Sequence, residues 1–173
     1  MYRIWCSSLV VMAISGCQSG PSWSSIEEKI HSDFPGVTQI TPEELEVKLK
    51  GSDVLKPLLL DVREPEEYAV SHLPNAIRVQ PGSDASEVLA SIPKDASIVA
   101  YCSVGYRSSQ LAKRLMEEGF VNVVNLEGSI FEWANNGYSV ERNGNVVEQV
   151  HPYNAEWGEL LDSKLHAYEA SDP

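Results

Sequence analysis

The chain has 173 residues, and its 13 lysine and arginine residues stand against 25 aspartate and glutamate residues, which gives a formal net charge of −12 at pH 7. This negative charge argues against nucleic acid as a partner, and it would repel anionic ligands unless local geometry captures them. The length suits one domain with a full hydrophobic core and extensions at its ends.

Residues 1–16 are predicted to be a lipoprotein signal peptide. Arg3 supplies a positive charge, and residues 4–14 form an apolar stretch too short to span a bilayer as a permanent helix. Residues 14–17 (ISGC) resemble the lipobox of bacterial lipoproteins, in which cleavage precedes a lipid-bearing cysteine. An ordinary secretory signal with a chance Gly-Cys pair is the alternative. The lipobox implies a periplasm-facing protein with a lipid anchor on Cys17, and Gln18 after the cysteine points to the outer membrane.

Processing of this kind would change the cysteine count. Cys6 would leave with the signal and Cys17 would carry lipid, so Cys102 would be the only thiol of the mature chain. No intramolecular disulfide could then form. An unpaired thiol in an oxidising compartment is either buried and inert or kept for its reactivity.

Residues 17–36 are predicted to form a lipid-anchored tether and a short helix that ends before Pro35. The domain itself is assigned to residues 37–140. It begins with a short strand over residues 37–40 and a helix that starts at Thr41, where proline follows at the first helical position.

Three apolar runs, residues 58–62, 97–101 and 121–126, have the character of strands buried on both faces of a parallel sheet. An amphipathic helix is predicted over residues 108–118, between the last two runs. This alternation predicts an α/β fold with a central, mostly parallel sheet flanked by helices. Ligands of such sheets bind beyond the carboxyl ends of the strands, which is where Cys102 lies.

The loop after the second of these runs is the main chemical signal. Cys102 is followed by a short turn containing Gly105, and Arg107 lies at the mouth of the next helix. Loop amides, a helix N-terminus and a guanidinium would together favour a thiolate and hold an anion beside it. The pattern predicts an activated sulfur nucleophile.

Four sequence blocks resemble the rhodanese domain in order and spacing. They are residues 60–68 (LDVREPEEY), 71–77 (SHLPNAI), 102–108 (CSVGYRS) and 125–133 (NLEGSIFEW). The resemblance implies a rhodanese-like three-layer α/β domain.

It also implies a sulfurtransferase of the thiosulfate sulfurtransferase type, in which Cys102 takes sulfane sulfur from a donor such as thiosulfate. The covalent persulfide on Cys102 then passes its outer sulfur to a thiol or a cyanide-like acceptor, and no other cofactor is needed. Donor binding is expected from Arg107 and from its neighbours in the loop and helix start, Ser103, Val104, Gly105, Tyr106 and Ser108.

Loop length separates this interpretation from its nearest rival. Phosphatases with the rhodanese fold carry five residues between cysteine and arginine, whereas only residues 103–106 intervene here. The alternative from another class is a non-catalytic rhodanese module that binds a partner or senses oxidants through Cys102.

Other polar residues are expected to be structural. Asp61 and Arg63 could lie at the edge of the site, but a cap or an ion pair is the preferred interpretation. Ser108 is predicted as a helix N-cap with a secondary hydrogen bond toward Cys102, and Ser129 as part of a capping box. No metal is predicted, because the histidines lack metal-ligand spacing.

Residues 141–173 are assigned to a hairpin, signalled by Asn143-Gly144, and to an amphipathic C-terminal helix. Docking of this helix on the domain's own surface is the preferred interpretation, and a protein partner or a cover for the active site is the alternative. Its apolar stripe comprises Trp157, Leu160, Leu161, Leu165 and Tyr168.

Overall fold

The computed structural model describes residues 20–51, 56–83 and 85–170. The signal peptide and the Cys17 lipid anchor predicted above lie outside the described residues. No helix of the described residues has the length and apolar character needed to cross a membrane.

A five-stranded parallel sheet forms the centre of the domain, in the order β1-β5-β4-β2-β3. Helices flank this sheet, so the predicted α/β architecture is confirmed. Its strands are β1 (Thr38–Ile40), β2 (Leu58–Asp61), β3 (Ile77–Arg78), β4 (Ile98–Tyr101) and β5 (Val123–Leu126).

Helices α1 (Trp23–Asp33) and α5 (Tyr106–Glu117) pack against each other, as do α2 (Pro42–Lys50) and α6 (Ser129–Asn135). Two shorter helices, α3 (Pro65–Val70) and α4 (Ser86–Leu89), lie in the connections on either side of β3. Helix α2 begins after Thr41, as predicted, and Thr41 and Glu44 form a capping box there.

The hydrophobic core is formed by the sheet and the apolar faces of these helices. Leu60 and Ile98 on neighbouring strands and Leu115 on α5 have no more than a trace of exposed surface. Each such side chain stabilises the fold by about 1.5–3 kcal/mol when fully buried. The core therefore holds β4 rigidly, with its carboxyl end leading into the Cys102 loop.

The C-terminal extension contains a two-stranded antiparallel hairpin of β6 (Val140–Arg142) and β7 (Asn145–Val147). Asn143 and Gly144 both have positive φ, 51° and 77°, as a tight type I′ turn requires.

The end of this extension does not form the amphipathic helix expected from the sequence. It contains only the one-turn helix α7 (Ala155–Gly158) and a 3₁₀ turn (Ser163–Leu165). The reason is tertiary, because the backbone groups bond to other segments. Val150 donates to the Leu165 carbonyl at 2.7 Å, and the Asn135 side chain donates to the Leu160 carbonyl at 2.9 Å.

Candidate active site

Cys102 follows the last residue of β4 and is almost completely buried, with 1% of its surface exposed. Its Sγ accepts a hydrogen bond from the Gly105 amide at 3.2 Å, and its own amide donates to Ser129 Oγ at 3.1 Å. Ser129 is therefore not the helix cap expected from the sequence. Gly128 occupies that position, and the Ser129 hydroxyl instead holds the backbone of Cys102.

The first turn of α6 holds the loop in place. The amides of Ile130 and Phe131 donate to the carbonyls of Cys102 and Ser103, each at 3.2 Å. Gly105 has a φ of 105°, and a Cβ there would lie 3.1 Å from Ile30 Cδ1 on α1. The positive φ favours glycine at this position, and a larger residue would also crowd the Ile30 side chain.

Arg107 forms a bidentate ion pair with Glu67 of α3. Nη1 lies 2.8 Å from one carboxylate oxygen and Nη2 2.9 Å from the other. Ser103 Oγ accepts from Arg107 Nη2 at 2.9 Å and donates to Glu67 at 2.6 Å, so three side chains form one network beside the thiol.

Sequence reasoning missed Glu67. The residue lies inside the block 60–68, but a glutamate in the first turn of a helix is most simply explained by the helix dipole. Its side chain is instead buried with 1% exposure, and its charge is tolerated there because Arg107 pairs with it and because Ser103 and the Glu64 amide donate hydrogen bonds to it.

The electrostatics of the loop favour a thiolate on Cys102. Burial raises the pKa of the thiol, but the Arg107 charge, the Ser108 hydroxyl and amide, and the Gly105 amide together lower the pKa below its ordinary value. For Glu67, burial likewise raises the pKa, and the hydrogen bonds from Arg107, Ser103 and the Glu64 amide bring the pKa below the usual range.

Ser108 is not the N-cap of α5. The helix begins at Tyr106, with Gly105 as its N-cap residue. Ser108 lies two residues inside, fully buried, because its side chain faces the Cys102 loop. Its hydroxyl has no hydrogen-bond partner at conventional geometry, yet it lies close enough to the sulfur to favour the thiolate.

Asp61 and Arg63 form a fully buried ion pair at 2.7 Å. Arg63 also donates to the Ser71 carbonyl at 2.6 Å, which ties β2 to the segment after α3. Neither side chain lines the cleft around Cys102. Their role is structural, and they support the α3 region that carries Glu67.

A cleft of about 540 Å³ opens over Cys102. Four predicted loop and helix-start residues line it with the cysteine, namely Ser103, Val104, Tyr106 and Arg107, whereas Gly105 and Ser108 are not among its lining residues. The remaining walls come from outside the predicted domain: Gly20, Pro21, Ser25, Ile26 and Lys29 near and on α1, and Tyr153, Glu156 and Trp157 in the C-terminal extension.

Tyr106 joins the cleft to α1. Its hydroxyl donates to Asp33 at 2.7 Å, and Asp33 also pairs with Lys29 at 2.8 Å. The Phe34 ring packs edge-on against Tyr106 at 5.2 Å between centroids. These contacts dock α1 against the helix that follows the Cys102 loop.

No group of three or more histidine, cysteine, aspartate or glutamate residues among the described residues could hold a metal ion. Cys102 is the free cysteine of this part of the chain. The arrangement has the parts of a thiolate nucleophile held in an anion-binding loop.

Comparison with known proteins places the chain in one family. The rhodanese-like domain family model matches residues 41–136. A sulfurtransferase of Allochromatium vinosum is 36% identical over 104 residues, which cover 60% of this chain and 94% of that protein. A putative sulfurtransferase of Bacillus subtilis is 35% identical over 97 residues, covering 56% of this chain and 90% of the relative.

The fold also resembles those of solved rhodanese-related structures. The crystal structure of a rhodanese-related protein from Thermoplasma volcanium superposes with a TM-score of 0.51 at 29% identity, covering 60% of this chain and 97% of that structure. The residues matched by the family model include Cys102, Arg107 and Glu67, and they leave out α1 and the C-terminal extension.

Proposed function

The chain belongs to the rhodanese-like domain family and is a sulfurtransferase of that type, and we propose that it moves sulfane sulfur through a persulfide on Cys102. The observation that carries this proposal is the Cys102 sulfur itself, which accepts from the Gly105 amide and has its pKa lowered by Arg107 and Ser108. A thiolate is the form of cysteine that attacks sulfur.

In the first half-reaction the Cys102 thiolate attacks the outer sulfur of a donor such as thiosulfate. The new bond joins Sγ to that sulfur, while the bond between the outer sulfur and the rest of the donor breaks. The leaving group, sulfite in this example, departs with the electron pair. The loop amides around Sγ would stabilise the negative charge on the persulfide.

In the second half-reaction a nucleophilic acceptor, a thiol or cyanide, attacks the outer sulfur of the persulfide. The bond to Sγ breaks, and its electron pair restores the Cys102 thiolate. Sulfur moves without net oxidation or reduction of the protein, so the cycle requires no cofactor beyond the cysteine.

Glu67 and Ser103 hold the Arg107 side chain in place, and Arg107 acts here as a positive charge beside the Cys102 sulfur. Its guanidinium supports the thiolate, and its side chain also lines the cleft into which a donor would enter. A small anion would thus meet the Arg107 charge and the Gly105 amide beside the sulfur.

The test is transfer from thiosulfate to cyanide together with the intact mass of the protein. Wild type should form thiocyanate and, after donor alone, should gain the mass of one sulfur atom on Cys102. Cys102→Ser should show neither, because a serine hydroxyl is not ionised at neutral pH.

Thiocyanate formation by a folded Cys102→Ser variant would refute the persulfide mechanism. A wild type without sulfur transfer from any donor would instead favour the second interpretation, a rhodanese module that binds a partner or senses oxidants.

The sequence motif at residues 14–17 supports a separate proposal about location. Cys17 would carry a lipid anchor that holds the catalytic domain to a bacterial membrane, facing the periplasm and on the outer membrane.

A further inference from the structure

We propose that the segments flanking the rhodanese domain form a subsite for the organic part of the sulfur substrate, and that this part is an apolar group that can be as large as a benzene ring. This inference rests on the sulfurtransferase function proposed above. It narrows the substrate class from small inorganic anions to organic sulfur compounds.

The first support is the origin of the cleft walls. The lining of the cleft includes Pro21 and Ile26 from the N-terminal segment and Tyr153 and Trp157 from the C-terminal extension. All four are outside residues 41–136, the part matched by the family model. The rhodanese domain supplies the sulfur chemistry, and the flanking segments supply a mostly apolar surface facing the nucleophile.

The C-terminal wall is anchored to the domain. The Ser71 hydroxyl donates to the Gln149 carbonyl at 2.6 Å, Val150 is fully buried and Leu161 is 4% exposed. The wall is therefore part of the folded domain surface.

Tyr153 is held in an unusual conformation within this wall. Its φ is 65°, a left-handed backbone value that residues other than glycine rarely adopt. Its amide donates to His151 Nδ1 at 3.0 Å. The result places the Tyr153 ring 5.2 Å from the Arg107 guanidinium carbon. A strained residue at the mouth of a cleft is typical of a functional surface.

The charges of the cleft argue against a second anionic group on the substrate. Two cationic side chains are among the lining residues, and each has a carboxylate partner: Lys29 pairs with Asp33 and Arg107 with Glu67. Glu156 adds a negative charge to the lining. An organic donor with at most one negative charge suits this balance better than a dianion does.

The volume of the cleft also favours an organic substrate. A cleft of about 540 Å³ is within the range of pockets that enclose small organic ligands and far exceeds what a four- or five-atom inorganic ion fills. The space beyond the sulfur is bounded by rings and aliphatic side chains, so an apolar group there would gain by leaving water.

Two donors with the same reacting group provide the test. Methanethiosulfonate and benzenethiosulfonate both carry one negative charge and transfer the same sulfur, and they differ in the size of the apolar group. In both, the thiolate attacks the outer sulfur, the bond from that sulfur to the sulfonyl group breaks, and a sulfinate leaves with the electron pair. Comparing variants within each donor removes the difference in intrinsic reactivity.

Trp157→Ala should lower kcat/KM for benzenethiosulfonate about tenfold and change that for methanethiosulfonate less than about twofold. Trp23→Ala is the matched control, since Trp23 packs on the core without lining this cleft. Equal losses with both donors in a folded Trp157→Ala variant would overturn the proposal.

A second pair of substitutions, at two tyrosines, keeps the test valid if the tryptophan variants misfold. Tyr153 and Tyr168 are 46% and 54% exposed in the same extension, and only Tyr153 lines the cleft. Tyr153→Ala should reduce the preference for benzenethiosulfonate about threefold or more, and Tyr168→Ala should leave it unchanged. The reverse result, or no change in either, would contradict the subsite.

Equilibrium binding separates the subsite from the catalytic proposal. Benzenesulfinate and methanesulfinate, the two leaving groups, can be titrated calorimetrically without any sulfur transfer. Benzenesulfinate should bind wild type about tenfold more tightly, and Trp157→Ala should remove the difference. Equal binding would overturn the subsite, whereas selective binding without turnover would keep the subsite and refute the sulfurtransferase function.

Discussion

The two terminal nitrogens of Arg107 donate to the two carboxylate oxygens of Glu67, at 2.8 and 2.9 Å. The residues are 40 positions apart, on α5 and α3, and the carboxylate has 1% exposure against 26% for the guanidinium. This pair links the helix that follows Cys102 to α3, the helix that follows β2. It therefore affects both the reactivity of the thiol and the stability of the domain.

The lowered pKa of Cys102 predicts a thiol that ionises at lower pH than an ordinary cysteine. The rate of alkylation by iodoacetamide should rise with pH to a midpoint below the value of about 8.5 for an ordinary cysteine. The urea-unfolded protein, with burial and the Arg107 charge removed, should return to that ordinary value. A native midpoint at or above the unfolded one would contradict the thiolate assignment.

Removal of Arg107 should impair catalysis. Arg107→Ala is expected to raise the pKa of Cys102 and to weaken transition-state stabilisation by about 2–4 kcal/mol in kcat/KM toward thiosulfate. Arg114→Ala is the matched control, because Arg114 is on the same helix and donates to the Gly82 and Ser83 carbonyls instead. Unchanged kinetics in Arg107→Ala would exclude Arg107 from the mechanism.

The same substitution should also reveal the cost of leaving Glu67 unpaired. Arg107→Ala leaves a buried carboxylate without its partner, which should destabilise the fold by roughly 3 kcal/mol. The double variant Arg107→Ala with Glu67→Gln should recover much of this stability without recovering activity. If activity returned with stability, the defect of the single variant would be one of folding.

Glu67 should make the domain sensitive to acid. Its pKa is lower in the folded than in the unfolded chain, so the unfolded state binds more protons, and the stabilisation is lost as pH falls from about 4.3 through the folded pKa. Glu67→Gln should flatten the urea-unfolding free energy over this range, measured from pH 5 to 3. Wild type and variant with parallel pH profiles would refute this role.

Loop length should set the preference for sulfur over phosphate. Wild type should hydrolyse aryl phosphates no faster than Cys102→Ser, which controls for contaminating phosphatases. A glycine inserted after Gly105 would lengthen the loop to five residues between cysteine and arginine and should introduce measurable phosphatase turnover. Robust phosphatase activity of purified wild type, absent in Cys102→Ser, would overturn the functional proposal.

Lipid anchoring should depend on Cys17. Cys17→Ala, expressed in a bacterial host, should lose fatty-acid labelling and move from the detergent phase to the aqueous phase or accumulate unprocessed, while sulfur transfer is retained. Cys6→Ala is the matched control and should stay labelled. Unchanged labelling of the Cys17→Ala protein would refute the anchor.

Local patterns in the sequence were sufficient for the architecture and for the position of Cys102 at the carboxyl end of a strand. Apolar runs alternating with a helical pattern determine a parallel sheet, because both signals depend on residues close together in the chain. The short glycine-containing loop marks Cys102 for the same reason. The hairpin turn at Asn143-Gly144 also follows from two adjacent residues.

The site beyond the loop was decided by tertiary structure. The partner of Arg107 is 40 residues away, and nothing local to Glu67 distinguishes it from a residue that favours the helix dipole. The C-terminal stripe has helical spacing, but the bonds of Val150 and Asn135 to that segment outweigh a preference for helix. Tyr153 and Trp157 line the same cleft as Cys102 for the same physical reason. Contacts between distant segments decide which surface a side chain covers, and the spacing of residues in the sequence does not indicate those contacts.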